Sequence, residues 1–190
     1  MSIVLLGSTS GSCTLQEQAV AGSTTLTLPT FNGTVSLLVS GTAVASTSGT
    51  SIDFTSIPAG VRRITVMFNA VSLSGSANIL VQGGVGGVID STGYASACTA
   101  TSGGAGGIAA STAGYIVRLS AAGASCSGHM VLTLVGSNTW VSSFSGTFDS
   151  STFCLVGGGT NTFSGTIDTV RITTTGADTF DAGSINILYE

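Results

Sequence analysis

The side chains able to do chemistry are few and far apart. A nucleophilic serine or cysteine needs a base beside it, and the only histidine is His129, set in the run His129-Met-Val-Leu-Thr-Leu134. Alternation places that run in a sheet, and no Gly-x-Ser-x-Gly elbow is present, so His129 reads as structural. Paired carboxylates could hydrolyse a glycoside, yet nothing in the spacing of Asp149, Asp168, Asp178 and Asp181 singles out a pair. Asp178 and Asp181 lack the Asp-x-Asp-x-Asp-Gly pattern of a calcium loop, so Asp178 to Gly183 reads as a turn whose aspartates accept backbone N–H bonds. Cys13, Cys98, Cys126 and Cys154 form no C-x-x-C pair, which argues against zinc and for free thiols in a reducing cytoplasm. The glycine clusters at 83–87, 103–107 and 157–159 have no lysine to complete a phosphate loop and read as turns. Trp140, Tyr94 and Tyr115 are the rings that could stack on a sugar, and they are the candidate glycan contacts. The expectation is a chain without catalysis, metal or cofactor.

The elements that would position these residues are strands. Val61 to Ser72 has the clearest two-residue period, with Ile64, Val66, Phe68 and Ala70 on one face and Arg63, Thr65, Met67 and Asn69 on the other. Ser164 to Thr175 alternates too, carries a second Arg beside Ile-Thr, and is the predicted neighbour of the first strand in one sheet. Pro58-Ala-Gly60 predicts a tight turn ahead of it. Further alternating runs at 77–82, 88–96, 115–119, 128–135, 139–144, 153–156 and 184–189 give about eight to ten strands, and no crossover helix can be found between them. That spacing predicts an all-β, antiparallel sandwich of jelly-roll type.

Ahead of it, Gly11-Ser-Cys-Thr-Leu15, Gly22-Ser-Thr-Thr-Leu26 and Gly33-Thr-Val-Ser-Leu37 repeat at a spacing of eleven. They predict three short strands whose apolar face, Leu15, Leu26, Leu28 and Leu37, has no partner within the strip. The small, uncharged stretch 40–50 reads as a connector, which divides the chain into an arm, 1–45, and a sandwich, 46–190.

Composition narrows the function classes. Serine, threonine and glycine make up nearly half of the 190 residues, a mixture rich in turn formers and poor in helix formers. With no lysine and four arginines, the chain has no basic stripe to neutralise a phosphate backbone, which argues against nucleic-acid binding. The first residues lack the basic region of a signal peptide, and no run approaches ~18 apolar residues, so neither export by that route nor membrane insertion is expected. Twelve charged residues hydrate a surface of this size poorly, and part of it is expected to lie against other subunits.

The run Gly11 to Pro29, the segments Arg63-Ile-Thr-Val-Met-Phe-Asn69 and Leu134-Val-Gly-Ser-Asn-Thr-Trp140, and the ending Asp178 to Glu190 resemble virion proteins of tailed bacteriophages and prophages. These are of the tail-fibre-like or minor structural type. The resemblance implies a virion appendage made in the bacterial host cytoplasm: a homotrimer with a short attachment arm and a β-sandwich head, bound to other proteins of the tail or the capsid. Three arms closing about an axis would cover the leucine face and leave no strand edge free. The alternative is a head that binds a host receptor or surface glycan.

Overall fold

The computed structural model describes residues 2–6, 12–16, 37–102, 105–117, 121–148 and 153–190. They form sixteen strands and no helix. The chain divides into two compact units, Met1–Val35 and Ser36–Glu190.

In the first unit, β1 (Ser2–Leu6) pairs antiparallel with β2 (Ser12–Gln16), Val4 opposite Thr14. The first of the three repeats is therefore a strand, and its partner is the chain's own start, which sequence periodicity did not mark. The other two repeats, with Leu26 and Leu28, lie outside the described residues, as does the side chain of Leu15.

The second unit begins with two short strands, β3 (Val39–Ser40) and β4 (Val44–Ala45), followed by β5 (Ser51–Phe54) and the long β6 (Arg63–Leu73). Next come β7 (Ile79–Val85), β8 (Val88–Ile89), β9 (Ala95–Ser102), β10 (Ala105–Ser111) and β11 (Tyr115–Val117). The last five are β12 (Cys126–Gly136), β13 (Thr139–Phe148), β14 (Phe153–Thr162), β15 (Thr169–Thr174) and β16 (Phe180–Tyr189). A large antiparallel sheet runs β10-β9-β14-β13-β12-β6-β16-β3, with β4 also on β16; a smaller one runs β11-β7-β15-β5, with β8 on β7. One apolar core between them draws Val66, Phe68 and Met130 from the large sheet and Ile79, Val81 and Ile172 from the small one. Each such side chain, fully buried, contributes roughly 1.5–3 kcal/mol. The second unit is a sandwich of antiparallel sheets, as its alternation predicts.

Four local expectations need correction. The two arginine-bearing strands are not neighbours: β6 lies between β12 and β16, while β15 lies in the other sheet between β7 and β5. Alternation fixes which side chains point inward and says nothing about which strand lies alongside. Within β6 the face assignment holds for Ile64, Val66 and Phe68, then fails at Ala70, which is exposed with φ of 50°. A register shift against β16 at this point turns Val71 and Leu73 inward instead.

The connector is no free tether. Tyr189 pairs with Val39 and Ile185 with Val44, and the buried Ser46 donates its hydroxyl to the Ala182 carbonyl at 2.8 Å, so the boundary falls about ten residues earlier than the sequence suggests. Finally, Gly157, Gly158 and Gly159 are strand, not turn. A Cβ at Gly159 would stand 2.6 Å from the Ala95 carbonyl oxygen, so close approach of β9 to β14 excludes any side chain there. Gly83 likewise lies within β7, where a Cβ would stand 2.7 Å from the Phe163 ring; the chain turns only at Gly86-Gly87, both at positive φ.

Candidate functional site

The three aromatics expected to meet a glycan are core. Tyr94, Tyr115 and Trp140 are 2%, 0% and 2% exposed. Tyr94 stands edge-on to Tyr115 at 4.9 Å and to Phe163 at 5.9 Å. Its hydroxyl accepts the Gly83 N–H (2.9 Å) and donates to the Asp90 carbonyl (3.1 Å). The Tyr115 hydroxyl donates to the Trp140 carbonyl at 3.1 Å. Burial pushes both phenols up from their ordinary value, so neither works as a base near neutral pH. These hydroxyls close a polar seam inside the sandwich, and no ring of the three faces solvent. The amide nitrogen of Asn161 in the same seam is buried without a hydrogen-bond partner. The sequence did carry the signal: Trp140 has the parity of Phe144 and Phe148, the inward residues of β13.

The titratable groups do not converge either. His129 is exposed on the outer side of β12, with Ser145 and Met67 as its cross-strand neighbours, whereas Cys126 is buried on the inner side. Burial, then the neighbouring Cys98, pushes the Cys126 thiol up to about 12, which leaves it an inert apolar group. Cys154 is exposed. Asp178 accepts the Ala77 N–H at 2.7 Å, as read from sequence, but Asp181 takes the Ser72 hydroxyl, and the segment from Phe180 onward is strand β16 rather than turn. Among the described residues no group of three metal-ligating side chains exists.

What remains are surfaces. Where the chain enters the sandwich, Leu37, Leu38 and Val39 are 77%, 64% and 39% exposed. Leu37 and Val39 line a groove of about 250 Å³ with Pro58, Val61 and Tyr189. Beside it the Arg63 guanidinium pairs with the Glu190 carboxylate, and the backbones of the two residues exchange hydrogen bonds of 3.0 Å, which holds the C-terminus on β6. Of the four leucines assigned to the attachment face, Leu37 is the one whose side chain is described, and it is solvent-exposed.

The second surface, which motif reading missed, is the outer side of the large sheet. One continuous row crosses it from Ile108 through Thr99, Val156, Ser145 and His129 to Met67. The signal lay in the sequence as a gap: between Asp90 and Asp149 the only charged residue is Arg118. Comparison with family models, with curated proteins and with solved structures finds no match to this chain.

Proposed function

We propose that the protein is a non-enzymatic structural component of a bacteriophage virion, a tail-fibre or head-fibre (capsid decoration) appendage. It associates with itself as a homotrimer and with other virion proteins through its N-terminal arm. The observation that carries this reading is the apolar run Leu37-Leu38-Val39, held out in water at the point where the arm joins the sandwich. In a chain with so few charges, an exposed run of this kind is stabilised by covering, at roughly 1.5–3 kcal/mol for each large aliphatic side chain buried. Three copies about an axis would bring these residues together and cover them, and three arms closing on one another would leave no strand edge open. The resemblance of the arm and of the C-terminal run to virion proteins supports the same reading. The burial of Trp140, Tyr94 and Tyr115 removes the rings on which the glycan-binding alternative rested.

Light scattering tests it. The full chain is expected at three times its 18.6 kDa mass, and a chain starting at Ser36 at a lower multiple. A monomeric full chain refutes the trimer, and a shortened chain that stays trimeric refutes the arm as its cause. Copy number per particle, by quantitative mass spectrometry, then separates the two attachments: a few trimers mean tail, dozens mean capsid.

A further inference from the structure

We propose that the outer face of the large sheet, across β10, β9, β14, β13 and β12, is the surface on which the sandwich of a second copy of this chain docks. The inference rests on the homo-oligomeric reading above but not on the arm as its cause. Strand alternation sends every second side chain of these five strands outward, and not one of the outward residues is Asp, Glu, Lys or Arg. A solvated protein surface is ordinarily about a quarter to a third charged, so a five-strand face with none is a marked departure. The described charges lie off these five strands: Asp53 and Arg171 on the small sheet, Asp90, Asp168 and Asp178 in loops, Arg62, Arg63 and Glu190 at the C-terminal corner, and Asp181 on β16.

Four exposed apolar side chains stand on the same face. Ile108 (74%), Val135 (66%), Val156 (60%) and Val141 (40%) all point outward from it. Between them stand small groups, as in the row Ala110, Ala97, Gly158, Ser143, which leave the surface low enough for another sheet to approach. Strands about 4.8 Å apart and outward positions about 6.7 Å apart give these five strands a plan area of roughly 600 Å². That is close to the ~800 Å² per partner of a stable interface, and an uneven surface exceeds its plan area.

The chemistry selects the partner. A nucleic acid needs cations, and the face has no Lys or Arg; a sugar needs broad ring platforms, and no outward residue of the five strands is Phe, Tyr or Trp. A second copy brings an equally uncharged surface, so the pair desolvates no unmatched charge.

The test uses the full chain in sedimentation equilibrium. Val156→Glu combined with Ile108→Glu should weaken self-association at least tenfold, because each copy would bury carboxylates against the next. Ser145→Glu, which removes no apolar group, should act in the same direction, and Val88→Glu, equally exposed but on the small sheet, should have no effect. Circular dichroism confirms that the variants fold; if the double variant does not, Ser145→Glu decides alone. An oligomer of unchanged mass and dissociation constant in the Glu variants overturns the proposal while leaving the arm-based trimer standing. A wild-type chain that is monomeric overturns both. Protection of β10 and β14 amides from hydrogen exchange that appears only when purified particles are added would give the face to another virion protein, and overturns it too.

Discussion

The two sides of the nine-stranded sheet are made by the same residues' neighbours and could hardly differ more. Inward from β13 point Trp140, Phe144 and Phe148, and Phe144 stands edge-on to Phe68 at 5.9 Å. Outward from the same strand point Val141, Ser143, Ser145 and Thr147, with neither a charge nor a ring among them. The inner side is specified by volume and by satisfied hydroxyls, the outer by what it omits. Stability belongs to the first and association to the second, and substitutions can separate them.

The largest effect expected is on the inner side. Phe144→Ala should cost about 3–5 kcal/mol in a denaturant titration, through lost transfer energy and the cavity left behind. Val156→Ala, 60% exposed on the outer side of β14, should stay within about 0.5 kcal/mol at concentrations where the chain is monomeric. Equal losses for the two would erase the distinction. Next in size is the irregularity that lets β6 change faces. Gly183 has φ of 92°, and a Cβ there would collide with the Ala70 carbonyl oxygen, so Gly183→Ala should cost about 2–3 kcal/mol. Gly86→Ala also stands at positive φ, of 61°, but meets nothing within 4 Å and should cost about 1 kcal/mol.

Alkali should find the inner side through its buried acids. Cys126 titrates near 9 when unfolded and near 12 when folded, and Tyr94 and Tyr115 are raised in the same direction. The folded chain therefore holds these protons where the unfolded chain has released them, and stability present below pH 9 is lost as pH rises toward 12. The melting temperature should fall across that window, and less steeply in Cys126→Ala. A thiol reagent should label Cys154 in the native state and Cys126 only on unfolding, and rapid native labelling of Cys126 would place it outside the core.

The sandwich was legible because Ile64, Val66, Phe68 and the Val170, Ile172 pair keep strict alternation, and a half-buried strand has no other way to be written. Pairing was not legible. Both arginine-bearing strands present the same pattern, yet one lies in the large sheet and the other in the small. Glycine misled for a physical reason: at 157–159 the residue type is demanded by a neighbouring backbone, and at 86–87 by a turn, and sequence alone does not separate the two demands. Among the three candidate glycan rings only Trp140 has a strand parity that places it inside; Tyr94 precedes β9, and in β11 all three residues including Tyr115 are buried, so alternation marks neither. The uncharged outer face went unread because it is a property of spacing between charges, not of any motif.

The smallest effect expected sharpens the contrast between the outer sides of the two sheets. The small sheet does carry charge outward, and it is paired: Arg171 stands directly opposite Asp53, and its Nε and Nη2 donate to the two carboxylate oxygens at 2.7 Å each. Fork-to-fork geometry makes this a good pair of its kind, but both side chains are about one-third exposed, at 35% and 34%, so water screens them. Arg171→Ala should therefore cost only about 0.5–1 kcal/mol, and Asp53→Asn a similar amount. Raising the salt concentration should shrink the difference from wild type, because exposed pairs are screened within a Debye length of about 8 Å at physiological ionic strength. Neither change should alter self-association, since a sheet face that keeps its charges hydrated and matched offers a second copy nothing to gain by burying them. If Arg171→Ala instead disrupted the oligomer as strongly as Val156→Glu, the small sheet would be the docking side, and the uncharged face opposite would be only a surface that water tolerates.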